Sequence, residues 1–236
     1  MSDVRQAMIL AAGLGERMRP LTLTTPKPLI EVAGKPIIAH GFEKLRAHGV
    51  SRVVVNCHWL ADQVEAWARA QQGAQMILSD ERAQLLDTGG GVKQALAHFG
   101  DAPFFVLNGD SFWTDGSEPT LARMQQAFRP DMDALLLLST ANRATGYDGR
   151  GDFFMDEKGV LTRRGERKVA PFIFTGVYLL HPRALAGMPD GPFSMNRVFD
   201  RALEQGRIGG LRHDGLWLHV GTPAAITLAE QALAVT

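Results

Sequence analysis

Residues 10–20 read Leu10-Ala11-Ala12-Gly13-Leu14-Gly15-Glu16-Arg17-Met18-Arg19-Pro20. The first three of them end a short apolar run, and the rest follow it. Glycine and alanine let backbone amides approach a ligand closely, and amides together with an arginine suit phosphate oxygens. The stretch therefore predicts a loop that binds a nucleotide. A dinucleotide fingerprint would need a third glycine at Met18 and a helix directly after the loop, which Pro20 disfavours. Nicotinamide binding is accordingly a poor explanation of this loop.

A lysine between two prolines follows the glycine loop. Lys27 stands between Pro26 and Pro28, and the fixed φ of proline makes this segment stiff. We expect the segment to hold the Lys27 side chain near the glycine loop. Without that loop, the same lysine would be interpreted as a solvated loop residue. The phosphate loop that places Gly-Lys-Ser/Thr at the start of a helix does not match, because Lys27 precedes a proline.

Outward from the loop, short apolar runs alternate with segments of helical spacing, which is typical of parallel strands joined by helical crossovers. The predicted fold is an α/β, Rossmann-like three-layer sandwich with a mostly parallel sheet. Ligands of such sheets gather at the carboxyl ends of the strands, so the loops after Ala12, Leu78, Leu107 and Leu180 are expected to matter. The predicted strands are Met8–Ala12, Val53–Asn56, Gln75–Leu78, Phe104–Leu107, Ala134–Ser139 and Phe172–Leu180. The predicted helices are Ile37–His48, Ala61–Gln72, Gly91–Phe99 and Leu121–Phe128.

The pattern loosens after about residue 140. Phe153–Asp156 and Val160–Thr162 predict a hairpin with Gly159 at its turn, inserted near residues 149–165. Thr222 and Pro223 are typical of the N-cap and first position of a closing helix that runs to Ala234. No internal repeat or low-complexity linker divides the sequence. We therefore expect one domain over residues 1–236.

Composition excludes several classes of protein. The 236 residues contain 25 Lys+Arg and 25 Asp+Glu, so no general field attracts nucleic acid or an anionic membrane. No apolar run approaches the ~20 residues that span a bilayer, and no signal-peptide pattern is present. We expect a cytoplasmic protein without nucleic-acid or membrane partners; the sequence leaves its oligomeric state unknown. The single cysteine, Cys57, excludes an internal disulfide, and its apolar surroundings favour a buried inert thiol.

The glycine loop, continued through Pro20-Leu21-Thr22 and Thr25-Pro26-Lys27-Pro28-Leu29, resembles the signature of sugar-1-phosphate nucleotidylyltransferases. The likeness extends along the chain. The resemblance implies that a nucleotidyl group passes from a nucleoside triphosphate to a sugar 1-phosphate, with release of pyrophosphate. The elements that carry the likeness further are Leu86-Asp87-Thr88-Gly89-Gly90-Gly91, Asn108-Gly109-Asp110, Gly149-Arg150-Gly151-Asp152-Phe153, Phe174-Thr175-Gly176 and Trp217-Leu218-His219-Val220-Gly221-Thr222.

Two of these elements narrow the resemblance within the family. The Gly149–Phe153 segment and the triple glycine are most similar to those of the members that transfer uridylyl to N-acetylmuramate 1-phosphate in bacterial cell-wall recycling. This resemblance implies that the substrates are UTP and N-acetylmuramate 1-phosphate and that the product is a UDP-sugar.

The resemblance also implies roles for residues on the nucleotide side. Lys27 would bridge the α-phosphate and the attacking phosphate as a compact point charge, and Arg17 is the second catalytic candidate. Glu16 is expected to order the loop by pairing with a nearby cation. Gln84 is expected to read the base edge together with a bare glycine. The implied nucleotide-binding residues are Leu10, Ala11, Ala12, Gly13, Gly15, Glu16, Gln84, Gly89 and Asn108.

The remaining implied roles concern the sugar and the metal. Asp152, Thr175 and Gly176, together with the hairpin, fall on the sugar side. Asp110 would hold Mg²⁺, which needs only one or two protein carboxylates besides phosphate oxygens. A lone Asp at a strand end is also a common turn former.

One position departs from the family pattern. Most relatives carry Asp where this chain has His219, and imidazole suits Mn²⁺-like transition metals better than Mg²⁺. Three interpretations stay open. His219 ligates the metal or its water, Asp110 holds Mg²⁺ with substrate oxygens alone, or the active site is degenerate.

Three other functions compete with uridylyl transfer. One is a catalytically silent homologue that binds a nucleotide sugar and acts as a regulatory subunit. Another is a guanylyltransferase that uses GTP and a mannose- or heptose-like phosphate. A third is a glycosyltransferase with an Asp-x-Asp metal site at Asp131-Met132-Asp133, which is disfavoured because that segment precedes a strand.

Overall fold

A computed structural model of the chain describes residues 3–235, apart from the side chain of Ser111. Strands and six α-helices alternate along much of this range. The strands are β1 (Gln6–Leu10), β2 (Glu31–Val32), β3 (Lys35–Pro36), β4 (Arg52–Cys57), β5 (Gln75–Asp80), β6 (Phe104–Asn108), β7 (Ser111–Trp113), β8 (Ala134–Thr140), β9 (Ala144–Thr145), β10 (Phe153–Met155), β11 (Leu161–Arg163), β12 (Phe172–Leu180), β13 (Ile208–Arg212) and β14 (Trp217–His219). The helices are α1 (Ile37–His48), α2 (Ala61–Ala70), α3 (Asp87–Ala95), α4 (Thr120–Ala127), α5 (Asn196–Glu204) and α6 (Pro223–Ala234).

A nine-stranded sheet forms the centre of the molecule, in the order β11-β10-β12-β6-β1-β4-β5, with β8 joining β12 to β13 off this path. Strands β1, β4, β5 and β6 pair in parallel, which confirms the predicted α/β core. Successive residues of these strands point to opposite faces: Ile9 belongs to one buried cluster and Met8 to another. Helices α1, α2 and α4 cover the first face, and α3 and α5 cover the second. The predicted three-layer sandwich is therefore present.

Strand β12 runs antiparallel to its neighbours β6 and β8, so the expectation for the loop after Leu180 was wrong. Leu180 pairs with Phe104, the first residue of β6, and thus lies at the sheet edge opposite the nucleotide loops. The N-terminal part of β12 reaches those loops instead, and the register shifts between Phe174 and Tyr178. The apolar run of β12 gave its extent correctly but contained no information on its direction.

The second half of the chain contains predicted and unpredicted elements. The hairpin of β10 and β11 is present with Gly159 in the connecting turn, and it extends the sheet beside β12. Pro223 is the first residue of α6 after Thr222, as predicted, although the Thr222 side chain makes no cap hydrogen bond. The pattern did not predict α5, β13 or the small sheet of β7, β14 and β9. Within residues 3–235, no helix combines the length and apolarity needed to cross a bilayer.

The Asp-x-Asp segment is part of the scaffold. Asp133 is 1% exposed and its two carboxylate oxygens form ion pairs of 2.8 Å with Arg183 and Arg207. It precedes β8, whose first residue, Ala134, pairs with Leu180 at the edge away from the nucleotide loops. This carboxylate is therefore already neutralised by arginines far from the candidate site, which argues against the glycosyltransferase interpretation.

Candidate active site

The glycine loop leaves β1 and closes on itself through a left-handed turn. Gly15 has φ 64°, a conformation that glycine adopts readily. A Cβ at this position would lie 2.8 Å from Cγ2 of Thr22 and 3.0 Å from Cβ of Lys27. The Thr22 hydroxyl also donates a 2.9 Å hydrogen bond to the Gly15 carbonyl. The glycine at position 15 therefore lets the loop pack directly against the lysine segment.

Lys27 and Asp110 form an ion pair beside this loop. Nζ of Lys27 lies 2.8 Å from Oδ2 of Asp110, although the two residues are 83 positions apart in the chain. Lys27 is only 8% exposed and occupies a single 3-10 turn that starts after Pro26. Burial would raise the pKa of Asp110, but the charges of Lys27, His219 and Arg17 outweigh it and hold this pKa below its usual value. Asp110 is therefore a carboxylate surrounded by positive charge.

A cavity of about 330 Å³ opens beside this ion pair, at the carboxyl ends of β1, β4, β5 and β6. Backbone of the glycine loop forms one wall and the start of α3 forms the opposite wall. Lys27 and Asp110 line the same cavity, so phosphate-binding amides, a cation and a carboxylate surround one space. Its lining residues are Leu10, Ala11, Ala12, Gly13, Lys27, Pro28, Asn56, Glu81, Leu85, Asp87, Thr88, Asn108, Gly109 and Asp110.

Asn56 and Glu81 form a buried polar pair in this wall that the sequence did not single out. Oδ1 of Asn56 accepts a 2.7 Å hydrogen bond from the Ala11 amide, and its Nδ2 donates to Oε1 of Glu81 at 2.7 Å. Oε2 of Glu81 accepts from the Leu86 amide at 3.0 Å. Burial raises the pKa of Glu81 despite these hydrogen bonds. The pair therefore links the glycine loop to the start of α3.

His219 belongs to the charged cluster around Asp110. It ends β14, where it pairs with Ser111 of β7, directly after Asp110 in the chain. A Cβ on Gly221 would lie 2.6 Å from Nε2 of His219 and 3.6 Å from Nη1 of Arg17. Burial lowers the pKa of His219, and the Lys27 and Arg17 charges add to this, whereas the Asp110 carboxylate raises it. The net pKa lies below the usual value, which favours a neutral imidazole at neutral pH.

The rest of the charged loop is more exposed. Glu16 forms a loose contact with Arg19, with 3.6 Å between Oε1 and Nη2, and its role in ordering the loop stays a prediction. Arg17 forms no ion pair within 4 Å among residues 3–235, and its charge lowers the pKa of Asp110 and of His219. Its guanidinium is thus available to an anion.

The residues predicted to read the base occupy different surroundings. Gln84 is exposed and does not line the cavity, and only its backbone amide is engaged, with the Glu81 carbonyl at 3.0 Å. Gly89 is buried inside α3, where a Cβ would lie 2.4 Å from the Phe193 ring. The amides of Gly89 and Gly90 both donate to the Phe193 carbonyl. The absent side chain of Gly89 therefore makes room for Phe193. A base-reading role for Gln84 and Gly89 stays a prediction.

The residues predicted for the sugar side are mainly engaged with the backbone. Oδ2 of Asp152 accepts a 2.8 Å hydrogen bond from the Phe174 amide. The Thr175 hydroxyl donates to the Leu137 carbonyl at 2.9 Å, in the irregular part of β12. Gly176 lies directly against the Asn108 side chain. These contacts show how Asp152, Thr175 and Gly176 shape this end of the site, and their contact with a sugar stays a prediction.

A second cavity of about 250 Å³ adjoins the first one. Asp87, Thr88 and Asn108 line both cavities and so form their common wall. The far wall comes from β12 and the start of α5. Its other lining residues are Phe174, Tyr178, Ser194, Met195, Asn196 and Phe199.

The chain also matches known proteins over nearly its full length. It matches the family described as Nucleotidyl transferase over residues 6–235. It is 42% identical to N-acetylmuramate alpha-1-phosphate uridylyltransferase of Caulobacter vibrioides, over 97% of this chain and 96% of that protein. It is 38% identical to the protein of the same name from Neisseria meningitidis serogroup B, over 97% of this chain and 98% of that protein.

A solved structure supports the fold independently. The crystal structure of HddC from Yersinia pseudotuberculosis, complexed with GMP-PN, superposes with a TM-score of 0.78 at 22% identity, over 98% of this chain and 100% of that one. The shared architecture agrees with the α/β fold described above. This chain is a member of the nucleotidyl transferase family.

Proposed function

We propose that the protein transfers uridylyl from UTP to N-acetylmuramate 1-phosphate, releasing pyrophosphate and forming the UDP-sugar. The observation that carries this proposal is the 2.8 Å pairing of Lys27 with Asp110 at a cavity lined by main chain of the glycine loop. The relatives from Caulobacter and Neisseria, which bear the name of this activity and are covered almost completely, support the choice of substrates.

The reaction is an in-line displacement at phosphorus. An oxygen of the sugar 1-phosphate forms a bond to the α-phosphorus of UTP, while the bond from this phosphorus to the oxygen bridging to the β-phosphate breaks. Two polyanions must meet, so charge neutralisation and alignment are most of the task. Lys27 stabilises the α-phosphate and the incoming phosphate, and Arg17 stabilises the departing pyrophosphate. The backbone amides of the glycine loop hold the triphosphate in line.

A divalent metal fits the donor set around Asp110. Mg²⁺ prefers oxygen ligands and takes one or two protein carboxylates together with phosphate oxygens, and Asp110 provides such a carboxylate. His219 adds an imidazole, which suits Mn²⁺ better. Among residues 3–235, no group of three His, Cys, Asp or Glu side chains forms a metal cage, so the substrate phosphates would complete the coordination. When bound, the metal would neutralise charge on the phosphates.

The two cavities divide the substrates between them. The first cavity includes the glycine loop and the ion pair, and it accommodates the nucleotide. The second cavity, across the wall of Asp87, Thr88 and Asn108, accommodates the sugar. In this proposal the sugar phosphate lies at the shared wall, where it meets the α-phosphate near Lys27.

A pyrophosphate-release assay tests the proposal. Initial rates are measured with UTP, GTP, CTP and dTTP, each with N-acetylmuramate 1-phosphate or mannose 1-phosphate, in Mg²⁺ and in Mn²⁺. We expect the highest kcat/KM for UTP with N-acetylmuramate 1-phosphate. A higher value for GTP with mannose 1-phosphate would make the protein a guanylyltransferase. Nucleotide binding without turnover of any pair would make it a silent homologue.

A further inference from the structure

The second cavity contains a polar group that lacks a protein partner. Tyr178 is 1% exposed and lines this cavity, and its hydroxyl has no hydrogen-bond partner among the described residues. Its ring packs edge-to-face on Phe199 with 5.2 Å between centroids, and Phe174 lies 5.8 Å away. Because an unsatisfied buried hydroxyl is unfavourable, a ligand with an oxygen above this aromatic floor would stabilise it. The cavity is therefore suited to a molecule that is both polar and apolar, such as a substituted sugar.

One rim of this cavity is electropositive. Ser194, Met195 and Asn196 line it at the start of α5, where the helix presents its positive N-terminal end. Nη2 of Arg163 donates a 3.0 Å hydrogen bond to Oδ1 of Asn196. This bond fixes the Asn196 amide so that its Nδ2 donors face away from Arg163. The rim thus combines a helix N-terminus and an oriented amide, and the guanidinium that contacts this amide lies next to the rim.

Arg163 is held in place while part of its donor set stays available. Its guanidinium lies over the Phe153 ring, 4.7 Å from the centroid, and its Nε donates to Oδ1 of Asp200 at 2.8 Å. Nη2 also lies 2.8 Å from Oδ1 of Asp200, so Asp200 and Asn196 together engage both Nε and Nη2, and of the five N–H groups of an arginine the two on Nη1 remain. Within residues 3–235, Nη1 has no hydrogen-bond or ion-pair partner, so its N–H groups can donate to a carboxylate.

We infer that Arg163, with Asn196 and the start of α5, binds a carboxylate carried by the sugar, and that Arg163 thereby makes the enzyme select an acidic sugar 1-phosphate over its neutral counterpart. This inference rests on the proposed function. N-acetylmuramate differs from N-acetylglucosamine by a lactyl ether that ends in a carboxylate, and the aromatic floor suits the methyl group of the N-acetyl substituent. Arg163 is a specificity-determining residue in this account and takes no part in bond breaking.

The same hairpin offers a matched control. Arg167 lies over the Phe154 ring, 4.6 Å from the centroid, much as Arg163 lies over Phe153. Phe153 and Phe154 are adjacent in β10, so their side chains point to opposite faces of the sheet. Among the described residues, no hydrogen bond joins Arg167 to Asn196, whereas Arg163 donates to the Asn196 side chain. Arg167→Gln therefore removes an equivalent charge from the opposite face of the sheet.

The experiment compares kcat/KM for N-acetylmuramate 1-phosphate and N-acetylglucosamine 1-phosphate, both with UTP. In Arg163→Gln we expect the ratio of the two values to fall at least tenfold, through a higher KM for the acidic substrate, with the KM for UTP unchanged. Arg163→Lys should recover part of the ratio because it keeps the charge, and Arg167→Gln should keep the wild-type ratio. Asn196→Asp, which places a negative charge at the rim, should lower the ratio without removing Arg163.

The outcomes separate the inference from the proposed function. If the wild type converts both sugar phosphates but Arg163→Gln and Asn196→Asp keep its ratio, the inference is wrong and uridylyl transfer stands. If Arg167→Gln lowers the ratio as much as Arg163→Gln, general surface charge explains selection and the inference is also wrong. If the wild type converts neither sugar phosphate, the proposed function and the inference both fail. Melting temperatures identify variants that do not fold. If Arg163→Gln does not fold, the ratio of the two kcat/KM values in Asn196→Asp decides the question.

Discussion

Nδ2 of Asn56 donates a 2.7 Å hydrogen bond to Oε1 of Glu81, and both side chains are 2% exposed in the wall of the nucleotide cavity. Asn56 also accepts from the Ala11 amide, and Glu81 accepts from the Leu86 amide. Four groups are therefore satisfied by one another: they come from the residue after β1, from β4, from the residue after β5 and from the residue before α3. This relationship determines how the glycine loop and α3 face each other.

Replacement of Asn56 by alanine should weaken both the fold and nucleotide binding. It leaves the Ala11 amide without its acceptor and Oε1 of Glu81 without its donor. Each buried group left unpaired costs about 1–3 kcal/mol. Urea unfolding should report a loss of this order, and the KM for UTP should rise in the fraction that folds. An unchanged unfolding midpoint would mean that other groups take over both hydrogen bonds.

Glu81 should make stability depend on pH in a defined direction. Its folded pKa is raised above the usual 4.5, mainly by burial. The folded state therefore binds more protons than the unfolded state between these two values, and stability falls as pH rises through this window. Urea midpoints measured from pH 4 upward should show this fall in the wild type. Glu81→Gln should lose that part of the dependence, and identical profiles would contradict the assignment.

Removal of the Lys27 charge should abolish most of the catalytic rate. Lys27→Met keeps much of the side-chain volume but removes the group proposed to stabilise the transferring phosphate, so kcat should fall on the order of 10²–10³-fold. Asp110→Asn should cause a similar loss in kcat, because it removes the carboxylate proposed to bind the metal. Circular dichroism and melting curves serve as the control for folding. A variant of either kind that turns over at the wild-type rate would remove the proposed mechanism.

His219→Asp tests the position that departs from the family pattern. If the imidazole substitutes for a carboxylate beside Asp110, the aspartate variant should stay active and its preference should shift from Mn²⁺ towards Mg²⁺, which favours oxygen ligands. Rates titrated with each metal give this preference directly. Inactivity of the variant in both metals would show that His219 has a different role.

Asp133 should matter for stability and not for turnover. Its carboxylate is buried between Arg183 and Arg207, whose side chains are 36% and 42% exposed, so the loss of these charged hydrogen bonds costs about 1.5–3 kcal/mol. Asp133→Ala should therefore unfold at lower urea concentration, whereas its kcat per folded molecule should match that of the wild type. A selective loss of kcat with normal stability would restore the Asp-x-Asp segment as a functional candidate.

Much of the site could be predicted from the sequence because it depends on strand ends. The loop after β1 and the residues after β6 are both at carboxyl ends of parallel strands, and the structure brings Lys27 and Asp110 together there. The direction of β12 could not be predicted, because an apolar run has the same composition in either direction. The contact of Thr175 could not be predicted either. Its hydroxyl donates to the Leu137 carbonyl where the register of β12 with β8 shifts, and the sequence does not show this shift.

The buried polar pair was missed for another reason. Asn56 stands at the end of a predicted strand, where a polar residue is usually interpreted as its boundary. The available signal was that Asn56 is flanked by Val53–Val55 on one side and by Cys57 on the other, so that it lies inside an apolar run. In the structure, β4 indeed continues through Asn56 and Cys57. Its partner, Glu81, lies 25 residues away, and only the parallel register of β4 with β5 brings the two together.

The wall shared by the two cavities affects the end of the catalytic cycle. Asp87, Thr88 and Asn108 face both spaces. Under the proposed division of the substrates, a nucleotide joined to a sugar would therefore fill both cavities as a single molecule. It loses translational and rotational freedom once, whereas the two separate substrates lose it twice. We therefore expect the product to be held more firmly than either reactant, so that its departure competes with bond formation for control of turnover and accumulated product slows the enzyme.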